Sequence, residues 1–281
     1  SVVIIDGYSF AATQPGPVGQ LIGVNRLNDN WWAPGVFSGT VPVYDGNTNA
    51  LITTVTTGFC PLEAHFDIKY NRVWVGDQCG SFNDPVFAFN AKTYALQAGP
   101  IGTGGVFGGA QVNSANGILY AGGATCERVD PVTFVISPVT VLPACPLGGS
   151  GTIDSVHNLI YGVYGTSPNF FLYIASGGTR TTTEKVLHTI SLTFQPGGVA
   201  VNTALNHLYI GNASSVSIDV RGSSGGANIT NFSLGSSALG IDEFAVDSIR
   251  GRIYALVNTA GGLAIYVIED LLPATKVSPG Y

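Results

Sequence analysis

The apolar and polar positions of this chain follow a repeating pattern. In each repeat an apolar stretch ends in Asn or Asp, a short polar turn follows, and a second apolar stretch carries Trp or Tyr. The aromatic residue lies seven positions after the Asn or Asp in all six copies. The pairs are Asn25 and Trp32, Asp67 and Trp74, Asn113 and Tyr120, Asp154 and Tyr161, Asn202 and Tyr209, and Asp247 and Tyr254. Each copy predicts two short strands joined by a tight turn.

The repeat length predicts the fold class. Successive aromatic positions are 41 to 48 residues apart, and a period of this size built from short strands is typical of propeller blades. Two further strands are predicted in each repeat, separated by turn phrases such as Asp45-Gly46-Asn47-Thr48. We therefore predict an all-β, six-bladed β-propeller with four-stranded blades that forms one domain over residues 1–281.

The N-terminal segment suggests how the ring is closed. Residues 2–5 read Val-Val-Ile-Ile and precede the first repeat. Because an unpaired sheet edge invites aggregation, we predict that this strand completes the last blade as its outer strand. The alternative is a loose terminal tail.

Composition excludes two classes of partner. Charged residues make up 10% of the chain and the net charge is −6, whereas nucleic-acid binding needs a basic face, so we expect no nucleic-acid partner. No apolar run reaches the roughly 18 residues of a membrane span.

Several features favour a secreted protein. The chain begins at Ser1 and contains no Met, so we expect that a signal peptide has been removed. Three Asn-x-Ser/Thr sequons, at Asn212, Asn228 and Asn231, are candidate glycosylation sites.

The four cysteines are expected to form disulfides. Two sequence pairs, Cys60 with Cys79 and Cys126 with Cys145, each span 19 residues. Four cysteines allow three connectivities, and the predicted topology favours these two pairs. A zinc site is the alternative, but the chain has no Cys-x-x-Cys and no His at ligand spacing.

Acidic residues supply the candidate catalytic groups. Superposing the repeats places Glu63, Asp77 and Glu243 at the central mouth, where carboxylates could act as acid and base or bind a cation. His65 lies two residues from Glu63 and could assist the chemistry. The alternatives are solvated acids at loop ends and a hydrogen-bonded packing histidine.

Four aromatic residues near the mouth break the regular pattern: Trp31, Phe107, Tyr164 and Phe170. With few charges nearby, they suggest a pocket for an apolar or aromatic small-molecule substrate. The alternative is that they pack loops against the blades.

The repeat resembles the six-bladed propellers of the gluconolactonase, senescence-marker-protein-30 and strictosidine-synthase-like group. The segment Pro61-Leu62-Glu63-Ala64 resembles the Glu-bearing start of that family's pattern, which implies a divalent cation at the channel mouth. The equivalent positions in the next three blades are Gly109, Ser150 and Gly198, which cannot complete such a ligand set. We therefore predict neither a metal site nor a cofactor.

The low charge, the secretory features and the apolar mouth also resemble the secreted fungal propellers of secondary metabolism. These include hetero-Diels–Alderases that join a tropolone quinone methide to a humulene-type terpene. The resemblance implies a metal-free cyclase or pericyclase that works by positioning its substrates and polarising one carbonyl. The alternatives are a metal-dependent lactonase or esterase and a non-catalytic lectin or interaction propeller.

Overall fold

The computed structural model describes most of the chain. It covers residues 4–5, 12–13, 23–25, 27–35, 38–58, 60–77, 85–102, 109–122, 125–146, 150–235 and 238–270. These residues form β-strands and contain no α-helix. They divide into two compact units: Ser1–Thr140 with Thr179–Thr182, and Val141–Gly178 with Thr183–Tyr281.

The first unit contains three four-stranded antiparallel sheets whose strands follow the chain order. The first sheet comprises β3 (Gly23–Asn25), β4 (Asn30–Trp32), β5 (Thr40–Asp45) and β6 (Leu51–Thr56). The second comprises β7 (Pro61–Asp67), β8 (Arg72–Asp77), β9 (Pro85–Asn90) and β10 (Leu96–Gly102). The third comprises β11 (Ala110–Asn113), β12 (Ile118–Gly122), β13 (Cys126–Val129) and β14 (Ile136–Pro138).

The second unit contains two four-stranded sheets and one three-stranded sheet, again in chain order. The first comprises β15 (Gly151–Asp154), β16 (Leu159–Thr166), β17 (Asn169–Ser176) and β18 (Lys185–Leu192). The next comprises β19 (Pro196–Asn202), β20 (His207–Asn212), β21 (Ser217–Gly222) and β22 (Asn228–Ser233). The last comprises β23 (Ala238–Asp247), β24 (Arg252–Thr259) and β25 (Gly262–Glu269).

The six sheets coincide with the six sequence repeats, and each is an antiparallel meander. This is the architecture of a six-bladed β-propeller, so the predicted fold class is confirmed. Four strands are described in each of the first five sheets and three in the sixth, and residues 271–281, which follow the sixth sheet, lie outside the described part of the chain. That residues 1–281 form a single domain remains a prediction.

The predicted pairing of the N-terminal strand with the last blade is not found among the described strand pairings. Within residues 2–5, only Ile4–Ile5 is described, and this strand, β1, pairs antiparallel with β2 (Ala12–Thr13) in a sheet of two strands. The described pairings give β25 one partner, β24, so they do not include the predicted outer strand of the sixth blade. A local hairpin needs only a short loop closure, which favours pairing of β1 with its sequence neighbour.

The conserved spacing within the repeats has a physical cause at the first hairpin of each blade. The Asn or Asp that ends the inner strand is buried in the first five copies, and in all six its Oδ1 accepts a backbone N–H two residues later. In Asp67, for example, Oδ1 accepts from the Lys69 N–H at 3.0 Å. A short side chain with a carbonyl oxygen is required to close such a turn, which explains why only Asn and Asp occur there.

The repeated aromatic residues lie within the apolar core of the blades. Trp32, Trp74, Tyr120, Tyr161 and Tyr209 are each no more than 2% exposed, whereas Tyr254 is half-buried. In the first unit Trp32 packs with Val73 and Phe89 of the second blade. In the second unit Tyr161 packs with Val199 and Leu208 of the fifth blade. In these two cases the aromatic residue is buried against the next blade of the same unit, as the stacking of repeats requires.

One glycine shows how closely the inner strands approach. A Cβ atom placed on Gly23 of β3 would lie 2.8 Å from the backbone oxygen of Ala64 on β7. No side chain fits at that distance, so glycine is needed where the first and second blades meet near their inner strands.

The disulfide prediction is supported. Cys60, Cys126 and Cys145 are all disulfide-bonded, and the Cys126–Cys145 bridge is present as predicted. Cys79, the predicted partner of Cys60, lies outside the described residues. Disulfides are consistent with an extracellular location, because they form and persist in oxidising compartments. The described residues include no helix with the length and apolar character that a membrane crossing needs.

Candidate functional site

Glu63 is the most unusual of the predicted site residues. Its side chain is 1% exposed, and its buried Oε1 atom has no hydrogen-bond partner among the described residues. The other oxygen, Oε2, lies 3.1 Å from Nε2 of His65, whose side chain is 25% exposed. This distance brings the two groups into contact, but the orientation leaves Nε2 of His65 without a hydrogen bond. The two side chains are therefore in contact, but Oε1 of Glu63 and Nε2 of His65 have no hydrogen-bond partner among the described residues.

Local strand irregularity positions this pair. The pairing of β7 with β8 is regular from Asp67 back to Glu63, and a register shift then separates Glu63 from Pro61. Such bulges bend a strand and re-aim its side chains, and they are common beside functional sites. In a regular strand Glu63 and His65 lie on one face, since side chains alternate with a period of two.

Asp77 ends the neighbouring strand of the same hairpin. It pairs with Pro61 across the hairpin and is 0% exposed. The Thr57 hydroxyl donates to Oδ2 of Asp77 at 3.4 Å, and Thr57 is itself buried. The β7–β8 hairpin thus carries two buried carboxyl groups at one end.

Glu243 has a different environment. It lies on β23 of the second unit, opposite Leu256, and it is exposed. Its neighbour Asp242 accepts a hydrogen bond from Nδ2 of Asn258 at 2.6 Å. Solvent stabilises an exposed carboxylate, so Glu243 lacks the desolvated setting found at Glu63.

Trp31 is held by packing within its own blade. Cross-strand pairing places it opposite Tyr44, and the two rings stack with centroids 4.2 Å apart and an angle of 15°. The Trp31 side chain is only 5% exposed. This contact supports the alternative considered for the aromatic residues, in which they pack against the blade.

Tyr164 and Phe170 lie on one hairpin of the second unit. Tyr164 stacks on Phe171, its cross-strand partner, with ring centroids 5.3 Å apart. Phe170 packs against the apolar core that contains Leu172 and Ile210. The fourth predicted wall residue, Phe107, lies outside the described residues.

The residues described do not assemble a metal-ligand cluster. No group of three or more His, Cys, Asp or Glu side chains with suitable placement occurs among them. Glu63 and Asp77 supply two carboxyl groups in the second blade. The positions equivalent to Glu63 in the next three blades are Gly109, Ser150 and Gly198, which have no acidic side chain.

The three sequons differ in their surroundings. Asn228 and Asn231 are exposed on β22, and Asn212 is half-buried at the end of β20. The Asn228 amide donates from Nδ2 to Oδ1 of Asp219 at 2.8 Å. The Asn212 Oδ1 atom accepts from the Ser214 N–H at 2.8 Å.

Sequence reasoning missed a polar cluster in the second unit. The Tyr209 hydroxyl donates to Oδ2 of Asp270, and Nδ1 of His207 lies 2.9 Å from the same oxygen. Burial first, and then the hydrogen bond to Asp270, raises the pKa of Tyr209. Asp270 lies more than sixty residues along the chain from its partners, so no local spacing could have indicated the contact.

Comparison with known proteins gives the fold alone. The structure is similar to the crystal structure of the β-propeller domain of Cps50 (Swd1) from Myceliophteria thermophila, with a TM-score of 0.71 and 10% sequence identity. The match covers 95% of this chain and 90% of that domain. No protein-family model matches the sequence, and no curated protein matches it either.

Proposed function

We propose that this protein is a small-molecule enzyme whose principal polar group is Glu63, acting together with His65. The observation that carries the proposal is the buried Oε1 of Glu63, to which no residue in the described part of the chain donates a hydrogen bond. A buried polar atom left unpaired is costly, typically about 1–3 kcal/mol, and native proteins rarely retain one without a reason. A ligand that supplies an N–H or O–H group would remove this cost.

The neighbouring His65 gives the site a route for proton movement. Its Nε2 lies 3.1 Å from the other Glu63 oxygen, so a reorientation of the ring when a ligand binds would form the hydrogen bond that proton transfer between the two groups requires. The pair can thus accept a proton from a substrate or donate a hydrogen bond to it. Both actions become stronger in a site from which water is excluded.

The reaction class that we propose is a metal-free cyclisation of the hetero-Diels–Alder type. A quinone methide and a terpene alkene combine through one new C–C bond and one new C–O bond, and no group leaves. The His65 ring would donate a hydrogen bond to the quinone methide oxygen as it gains negative charge, and Oε1 of Glu63 would accept a hydrogen bond from a substrate hydroxyl group. The resemblance to secreted fungal propellers and the low content of charged residues, 10%, support this class. We also propose that the protein acts after secretion.

Rate measurements with matched variants test this function. An ortho-quinone methide generated in solution would be mixed with humulene, and the adduct followed by chromatography with mass detection. We expect the wild-type protein to accelerate the reaction and Glu63→Gln to reduce the acceleration at least about a hundredfold, the lower end of general acid–base effects. Glu269→Gln is the control, since its carboxylate is 59% exposed.

The same assay defines the contradicting results. Equal rates for the wild type and Glu63→Gln, with both folded by circular dichroism, would exclude Glu63 as the reacting group. Lactone hydrolysis that a chelator abolishes and Ca²⁺ restores would replace this proposal with the lactonase alternative. Absence of turnover with both substrate classes would favour a non-catalytic propeller.

A further inference from the structure

A groove of about 510 Å³ lies in the second unit, on the outer part of the fifth blade. One wall is formed by β21 and β22, including Asp219, Arg221 and Asn231. The other includes Thr193 and Phe194, which follow β18. This volume falls within the range of about 300–1,000 Å³ that is usual for small-molecule sites.

Strand pairing gathers the polar side chains of this wall on one face. Asp219 pairs with Asn231 across β21 and β22, and directly paired residues share a face. Arg221 lies two residues after Asp219 and therefore lies on the same face. The opposite face carries Ile218 and Val220, which belong to an apolar core. The polar residues are thus placed in the groove by the register of the sheet.

A buried carboxylate fixes these groups in place. Asp219 is 2% exposed, and its Oδ2 accepts a hydrogen bond from Nε of Arg221 at 2.7 Å. Its Oδ1 accepts from Nδ2 of Asn228 at 2.8 Å, and Nη1 of Arg221 donates to the Gly226 carbonyl at 3.1 Å. Groups held in this way are preorganised, so a ligand loses little affinity to ordering them.

The charge of the groove favours a neutral ligand. The carboxylate of Asp219 offsets the guanidinium of Arg221 at a separation of 2.7 Å, which leaves no net positive charge to select an anion. The other polar residues of the lining supply the amides of Asn212 and Asn231 and the hydroxyl groups of Thr193, Ser217 and Ser233. Amides and hydroxyls both donate and accept hydrogen bonds, as the hydroxyl groups of a sugar require.

We propose that this groove binds a neutral carbohydrate in protein whose Asn212 and Asn231 carry no N-glycan. Adjacent sugar hydroxyls would bond the planar side chains of Asn231 and Arg221, and the apolar C–H face of a sugar ring would lie against Phe194. The site is separate from Glu63 and does not depend on the enzymatic proposal, because it consists of other residues in the second unit.

Binding to defined probes tests the inference. Because Asn212 and Asn231 lie in sequons, the protein would be exported to the bacterial periplasm, where disulfides form without attached N-glycans. Calorimetric titration would use the neutral hexasaccharides of glucose, xylose, mannose, galactose and N-acetylglucosamine, with citrate and inorganic phosphate as anionic probes. We expect binding of at least one neutral hexasaccharide and of neither anion.

Two variants test whether the sugar binds in the groove. Asn231→Ala removes an exposed amide from the groove face, and we expect about fivefold weaker binding, the equivalent of one ordinary hydrogen bond. Thr230→Ala is the matched control, since Thr230 is the adjacent exposed residue of β22 and pairs with Val220 on the opposite face. It should bind as the wild type does, and thermal melts should confirm that both variants fold.

Three results would overturn the proposal. The first is binding of citrate or phosphate in preference to every sugar, which would indicate an anion site at Arg221. The second is sugar binding that Asn231→Ala leaves unchanged, which would place the sugar elsewhere. The third is no binding of any of the five hexasaccharides by the folded wild-type protein.

Discussion

The guanidinium group of Arg72 lies over the ring of Trp74, 5.1 Å from its centroid. The same group lies 4.8 Å from the ring centroid of Phe134 in the third blade. Nε of Arg72 donates to Oε1 of Gln97 at 2.8 Å, and Nη1 donates to the Pro131 carbonyl at 2.7 Å. A buried cation therefore links the second blade to the third through both stacking and hydrogen bonds.

We expect Arg72→Ala to lower the free energy of unfolding by about 3 kcal/mol, because it removes a desolvated cation and leaves its acceptors unpaired. Urea denaturation would measure the change. Arg250→Ala is the control, since Arg250 pairs with Asp247 at the surface and such pairs contribute at most about 1 kcal/mol. Similar losses for the two variants would contradict the role given to Arg72.

The lowered pKa of Asp130 predicts that the stability of the fold decreases at acidic pH. Its burial raises the pKa, but hydrogen bonds from Thr133, Arg180 and Val132 outweigh that effect and lower it from 3.8 to about 2. A carboxyl group with a lowered pKa in the folded state stabilises the fold above its unfolded pKa. That stabilisation is lost as the pH falls from about 4 towards 2.

The Asp130→Asn variant should therefore melt at a lower temperature than the wild type at pH 7, and the difference should shrink as the pH approaches 2. Calorimetric melts over this range would measure it. Arg180→Gln removes one contributing hydrogen bond and should show a smaller difference. A gap that stays constant from pH 7 to pH 2 would contradict the assignment.

The first hairpin of each blade predicts a difference between two substitutions at Asn113. Its Oδ1 accepts from the Ala115 N–H at 3.2 Å, and Ala cannot make this bond. We expect Asn113→Ala to cost about 1 kcal/mol or more. Asn113→Asp should cost less, since Asp67 and Asp154 close the same turn. Equal costs in chemical denaturation would indicate that the turn bond is unimportant.

The contact between Tyr209 and Asp270 predicts that substitutions at these two residues have non-additive effects on the free energy of unfolding. We expect Asp270→Ala to lower the free energy of unfolding by about 2 kcal/mol, because it removes the carboxylate that accepts the hydrogen bond of the buried Tyr209 hydroxyl. Tyr209→Phe should cost less in the Asp270→Ala background than in the wild type. A double-mutant cycle by urea denaturation measures this, and strictly additive effects would refute the contact.

Trp31 was predicted to line a ligand pocket, but its packing against Tyr44 predicts that its substitution affects the stability of the fold. Because its ring is 5% exposed and stacks on Tyr44, we expect Trp31→Ala to lower the free energy of unfolding by about 3 kcal/mol. Phe substitution should retain most of the stacking and cost less. If Trp31→Ala melts as the wild type does, the ring is free to serve a ligand.

The hairpin geometry and the blade count followed from the sequence because they depend on neighbouring residues. The turn at Asp67 closes with the Lys69 N–H, two positions away, and β-strand periodicity then brings Trp74 into the interior. Local chemistry of this kind repeats wherever the same residue types recur, so six copies indicated six blades. The outer edge of the last blade is harder to predict, because its pairing can depend on a segment distant in the sequence.

The candidate site was only partly predictable for the same reason. The sequence placed Glu63, His65 and Asp77 on one hairpin, where strand alternation and register are local properties. It could not indicate that Oε1 of Glu63 is left without a donor, since that depends on every side chain packed around it. Nor could it distinguish Trp31 as a ligand wall from Trp31 as a stacking partner of Tyr44.

The sequence by itself thus determined the repeat, the strand order within blades and the turn residues, because these arise from interactions over a few residues. The tertiary structure alone decided which polar groups meet across distant segments. Arg72 reaches Pro131 and Tyr209 reaches Asp270, 59 and 61 residues away. Such contacts form only when whole blades pack together, and the energy of a buried polar group depends on that packing more than on its own identity.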